Sequence, residues 1–243
     1  MLQERDYYLG FSNFPGIGPL RFRKLLAEFG SAKNAWEAAK SVLAKLLGEK
    51  LGGKFDEFRN KFSIEEYIEK LKRAHVWFLT LTDKEYPELL KRISNPPFLL
   101  YGKGDKEILR FAQNDSGGAQ NDTGGFIAVV GTRKITQYGR EVTESLTREL
   151  ASSGFTIVSG LAMGVDAVAH RTALESGGKT IAVLGCGVDC CTPEENQSLY
   201  RSIIDGGSCI VSEYPLGQMP TRGSFPARNR IIAGLSQGVL VTE

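Results

Sequence analysis

Between Phe126 and Thr242, short apolar runs alternate with helix-length segments, and this alternation narrows the possible folds more than any other feature. Phe126–Val130, Phe155–Ser159, Thr180–Leu184, Ser208–Ser212 and Gly238–Thr242 read as strands. Tyr138–Ser152, Val165–Ser176, Glu194–Asp205 and Ala227–Leu235 read as the helices between them. A strand that is apolar at nearly every position needs cover on both faces. Strands separated by helices satisfy that need as a parallel sheet with helices on both sides, an α/β fold. The last strand, Gly238–Thr242, has no helix after it and is expected to leave an open apolar edge.

Residues 1–74 have a different texture and read as a small helical unit. Pro19 fits a first helical turn, Phe22, Leu25, Leu26 and Phe29 form an apolar stripe, and Gly30 fits the stop. Ser63 and Glu66 have the spacing of a capping box. Val76–Thr80 and Phe98–Tyr101 read as two further strands. The boundary is therefore expected at 74/75, with residues 75–243 forming the second unit. Residues 112–125 duplicate AQNDSGG as AQNDTGG and are expected to form a mobile surface insertion.

Ligands of doubly wound sheets bind at the carboxyl ends of the strands. Those ends are rich in glycine here, in a chain with 28 glycines. They include Gly131-Thr132-Arg133, Ser159-Gly160-Leu161-Ala162-Met163-Gly164 and Gly185-Cys186-Gly187. Glycine lets backbone amides approach a phosphate, or it simply lets a tight turn form; this motif alone does not decide between the two. Residues 222–230 are more directed: three arginines and Phe225 in nine residues, with no acid. Arginine pairs with phosphate and an aromatic face stacks a base. The basic excess otherwise lies early: residues 1–110 carry 20 basic and 15 acidic side chains, residues 111–243 carry 10 and 13. Phe14-Pro15-Gly16-Ile17-Gly18-Pro19, followed by Arg21, Arg23 and Lys24, has the form of a helix-hairpin-helix turn that grips phosphate, or of a purely structural hairpin.

Catalytic and metal signals are weak. Asp166 and His170 are one helical turn apart, but the spacing reads first as a helix-surface hydrogen bond. The four cysteines, Cys186, Cys190, Cys191 and Cys209, contain no CxxC pair, so neither a metal nor a cofactor is expected. No apolar run approaches the ~18 residues of a membrane span, and the charged start MLQERDYY lacks a signal-peptide core, so the cytoplasm is the expected compartment.

Five stretches together resemble the DNA-processing protein A family: VVGTRKITQYG (129–139), IVSGLAMGVDAVAH (157–170), GGKTIAVLGCGVD (177–189), SEYPLG (212–217) and FPARNRIIAGLS (225–236). The resemblance implies an extended Rossmann-like sheet preceded by a SAM-like helical domain. It implies binding of single-stranded DNA, protection of incoming strands in natural transformation, and loading of the RecA recombinase, without catalytic turnover. The implied DNA-binding set is Gly131, Arg133, Ser159, Gly160, Lys179, Arg222, Phe225, Arg228, Asn229 and Arg230. A homodimer is a further implied state. Members of the family continue past the Val241-Thr242-Glu243 equivalent, so the sequence reads as incomplete there. Thr192-Pro193 departs from the tyrosine usual before that proline, and the AQND duplication is not a family feature. The competing reading is a Rossmann-like nucleotide enzyme related to lysine-decarboxylase-like phosphoribohydrolases, with Glu213 and Asp166 as its acid–base candidates. Its PGGxGTxxE signature is missing from this sequence.

Overall fold

The computed structural model describes residues 1–113 and 124–243. Most of the AQND duplication lies outside the described residues. The helical part comprises α1 (Glu4–Ser12), α2 (Pro19–Phe29), α3 (Ala32–Glu37), α4 (Lys40–Leu47), α5 (Glu49–Arg59) and α6 (Ile64–Arg73). The sheet part follows as β1 (Trp77–Thr80), α7 (Glu88–Lys91), β2 (Leu99–Gly104), β3 (Phe126–Val130), α8 (Gln137–Ser152), β4 (Thr156–Ser159), α9 (Val165–Glu175), β5 (Thr180–Val183), α10 (Gln197–Asp205), β6 (Cys209–Ser212), α11 (Ser224–Leu235) and β7 (Gly238–Val241).

Local signals explain most boundaries. Pro19 opens α2, and Gly30 ends it in the left-handed region at φ 74°. Ser63 Oγ accepts the Glu66 amide, one arm of the anticipated capping box. Helix α5 has no counterpart in the sequence reading, because Gly52 and Gly53 sit inside it. Gly52 is needed for packing: a Cβ there would lie 2.7 Å from the Ala44 Cα, so glycine permits the close crossing of α4 and α5.

The sheet has seven strands in the order β1-β2-β6-β5-β4-β3-β7. Five strands are parallel, as expected. The sheet as a whole is mixed, because β2 runs antiparallel to both β1 and β6. Val76–Thr80 and Phe98–Tyr101 join the same sheet as an antiparallel pair added at one edge. Alternation divides the strands between two cores. Ala182, Ile210 and Tyr101 face the N-terminal helices and α10, whereas Ile181, Val183, Val211 and Leu100 face α11 and α7. The first core is continuous with the helical part. Phe22 stacks on Phe98 at 4.2 Å, Ser12 Oγ and the Tyr101 hydroxyl share a 2.5 Å hydrogen bond, and Tyr67 OH accepts the Leu216 amide. At the far edge β7 pairs with β3 alone among the described residues, and Val239 and Val241 are 54% and 65% exposed.

Candidate nucleic-acid interface

The carboxyl ends of β3, β4 and β5 and the start of α11 converge on one groove. Three contiguous hollows of about 310, 140 and 340 Å³ share Arg133 and Arg228 in their walls. Gly131, Asp166 and Asn229 line the first, Gly160, Met163 and Phe225 the second, and Arg222 and Phe225 the third. Arg133 is exposed, and its guanidinium lies over the Phe225 ring at 5.3 Å. The ring reaches that place because Gly185 has no side chain; a Cβ there would lie 3.2 Å from Phe225 Cδ1. Gly131 is likewise a close-approach residue, since its Cβ would lie 2.6 Å from the Glu243 carbonyl oxygen.

The turn from β4 to α9 is held from inside. Asp166 Oδ2 accepts the amides of Gly160 (3.0 Å) and Ala162 (3.4 Å), and His170 Nε2 accepts that of Leu161 (3.3 Å). The Asn196 amide nitrogen donates to the Leu161 and Ala162 carbonyls. Leu161 adopts φ 57° and Gly164 φ 77°, and the Ser159 hydroxyl donates to Val129 O at 2.6 Å. These bonds correct two expectations. The amides of residues 160–162 do not form a phosphate cradle, because side chains of this chain occupy them. Asp166 and His170 do not form a surface pair either; both are buried, and each independently supports the turn.

The hydrogen bonds around His170 specify its protonation. Nε2 accepts, so the proton resides on Nδ1, which donates to Thr180 Oγ1 at 2.6 Å. Thr180 in turn donates to the Ile157 carbonyl. Burial, then the nearby Arg228 charge, lower the His170 pKa to about 3. Burial raises that of Asp166, and Arg228 partly opposes the rise. A histidine that stays neutral when folded but takes up a proton when unfolded makes the native state lose stability as pH falls below the unfolded value. Between about pH 6.5 and pH 3 the loss from His170 approaches about 1.4 kcal/mol per pH unit, with none above that window. Asp166 acts in the opposite sense just above its unfolded pKa, where its raised folded value favours the acid side. Urea unfolding of the chain and of His170→Asn at pH 7 and pH 5 measures this: the natural chain should lose more stability on acidification than the variant. Equal losses would show that His170 is not the source.

The three arginines of residues 222–230 have different fates. Arg222 is exposed. Arg228 is 4% exposed: Nη1 donates to Gly160 O at 2.8 Å and also to Val183 O, which ties the ends of β4 and β5 to α11. Gly160 makes room for this guanidinium, whose Cζ would lie 2.6 Å from an added Cβ. Arg230 makes two 2.6 Å bonds to the Glu213 carboxylate and a 3.0 Å bond to Asn95 O. Ser159 is buried beneath the turn. Lys179 precedes β5 and donates to Gly206 O, at the amino end of the sheet. The structure therefore brings Gly131, Arg133, Gly160, Arg222, Phe225, Arg228 and Asn229 to one groove, turns Arg230 away to Glu213, and places Lys179 at the opposite edge. The GGKT stretch points to Lys179, but a residue before a parallel strand lies a strand's length from one after it. Met163, 48% exposed on the groove wall, and Asn196 behind the turn carried no sequence signal.

Among the described residues, no group of three or more His, Cys, Asp or Glu side chains is placed to hold a metal ion, and no helix is long and apolar enough to cross a membrane.

The family described as DNA recombination-mediator protein A matches residues 77–243. Protein Smf of Synechocystis sp. is 42% identical over 242 residues, 99% of this chain and 58% of that protein. DNA processing protein DprA of Bacillus subtilis is 36% identical over 190 residues, 75% of this chain and 60% of that protein. The chain thus spans about three-fifths of the length of these curated relatives. The X-ray structure of DNA processing protein A from Streptococcus pneumoniae superposes with a TM-score of 0.76 at 32% identity, covering 99% of this chain and 77% of that one. DNA processing protein A from Helicobacter pylori, a protein with a single-stranded DNA binding mode of its own, superposes with a TM-score of 0.57 at 36% identity, covering 69% of this chain and 70% of that one.

Proposed function

This chain belongs to the DNA recombination-mediator protein A family, and from that premise we propose that it binds single-stranded DNA in the groove at the carboxyl edge of its sheet. The observation that carries the proposal is the Arg133 guanidinium held over Phe225 at the mouth of that groove. A cation and an aromatic face offered together suit a strand whose phosphate and unstacked base are both available. A duplex keeps its bases stacked and offers the ring no free base face. Arg222 supplies a second exposed charge beside the same ring. Arg228 and the β4–α9 turn act as the frame, and Arg230 is neutralised by Glu213.

The groove offers little for acid–base catalysis. Asp166 is committed to turn amides and Glu213 to Arg230, so the two carboxylates that a nucleotide hydrolase would need are both occupied. We assign the chain a binding role without turnover, in the cytoplasm. Handling of strands in transformation, transfer to RecA and a homodimeric state are extensions of the same proposal, supported by family membership.

Fluorescence-anisotropy titrations with single- and double-stranded oligonucleotides at several salt concentrations test the binding role. Single strands should bind more tightly, and for strands short enough to stay within the groove the log–log salt slope should be near −1.4 if Arg133 and Arg222 neutralise two phosphates, about 0.7 each. Equal affinity for both forms, or affinity insensitive to salt, would overturn the proposal. Lys179→Gln should leave affinity within about twofold of the natural chain, because the residue lies beyond screening range at the other edge.

A further inference from the structure

The basic excess of the N-terminal part has no role in the groove just described, yet one of its arginines reaches the same rim. Arg23 of α2 donates through Nη2 to Ser94 O, while Arg230 of α11 donates through Nε to the adjacent Asn95 O. The loop at 94–95 is thus gripped from one side by the helical part and from the other by the sheet part. Arg230 lies five residues beyond Phe225 on α11, about 7.5 Å of helix rise. Tyr214 stands at this corner, half-buried, with Glu213, Arg230 and Arg228 as its charged neighbours. The line from Arg133 and Phe225 past Tyr214 to Arg23 therefore follows the carboxyl edge of β3, β4, β5 and β6 and continues onto α2.

Charge along this line is mostly basic, with the exposed Glu28 one helical turn beyond Lys24 on α2. Glu213 is largely covered and cancelled by Arg230. Arg23 and Lys24 are exposed, and among the described residues neither has a carboxylate partner. Arg21, one turn before Lys24, is tied to Gly16 O at 2.8 Å.

We propose that a single strand leaving the Arg133–Phe225 clamp continues past Tyr214 and across the 94–95 loop to Arg23 and Lys24 of α2, so that the helical part extends the DNA-binding surface. This inference rests on the groove being the primary binding site. It requires phosphate tracking only, so the extension should tolerate any sequence.

The test compares labelled oligothymidylates of about 4 and about 20 nucleotides, a span that brackets common single-strand site sizes. The double variant Arg23→Gln/Lys24→Gln removes two exposed charges, and its circular dichroism and thermal midpoint should match the natural chain. It should bind the short oligonucleotide within about twofold of the natural chain. The long one should bind about five- to tenfold more weakly at low salt, its salt slope shallower by about 1.4. Unchanged binding of the long oligonucleotide overturns the extension. Equal weakening on both lengths overturns it too, since that marks a diffuse field rather than a path. If Arg133→Ala leaves both lengths at full affinity, the primary site itself is wrong, which separates the two failures.

Discussion

Replacing Phe225 by alanine should weaken single-strand binding roughly 5- to 150-fold, the ~1–3 kcal/mol that a stacked base contributes. Arg133→Ala should weaken it comparably and also make the salt slope shallower by about 0.7, which Phe225→Ala should not do. The two side chains are in contact, with the guanidinium 5.3 Å above the ring. Their effects should therefore be less than additive in a double-mutant cycle, because removal of the ring also releases the arginine. Neither substitution touches a buried contact of the core, so unfolding midpoints should move little. Binding that survives both substitutions would place the strand elsewhere on the protein.

Arg228→Met should have the largest effect on folding, a destabilisation of about 3–5 kcal/mol. The guanidinium is the shared hydrogen-bond donor to the ends of β4 and β5, and it offsets the Asp166 charge beneath it. Methionine fills similar space but leaves those carbonyls without their donor and the carboxylate without its counter-charge. Urea unfolding near pH 7 measures the loss. The opposite outcome is equally informative: an Arg228→Met protein as stable as the natural one, with weakened DNA binding, would return this arginine to the groove as a phosphate ligand.

The three arginines of one nine-residue stretch mark the limit of inference from sequence. Arg222, Arg228 and Arg230 are chemically identical in the sequence, and all three fit a phosphate-binding role there. In the fold they are respectively exposed, buried among carbonyls and paired to a carboxylate. Nothing local distinguishes them, because their partners, Gly160, Val183, Glu213 and Asn95, come from four separate parts of the chain. The glycine turn behaves likewise. Its composition allows a phosphate cradle, but Asp166 and His170 fold back on its amides. Helix α5 is not legible in the sequence because glycine lowers helix propensity, and the close approach to Ala44 that favours glycine there exists only once α4 and α5 are packed.

What the sequence determined by itself is the set of short-range periodicities and their consequences. Apolar runs between helices specified a sheet covered on both faces, and the positions after each strand specified one candidate ligand-binding edge. Arg133 and Phe225 were therefore legible as neighbours of that edge. Tertiary structure alone decided strand direction at β2 and which cations stay free to meet a ligand. Those outcomes depend on contacts between residues far apart in the chain. A charge or an amide is available to a ligand only when folding has not already given it a partner.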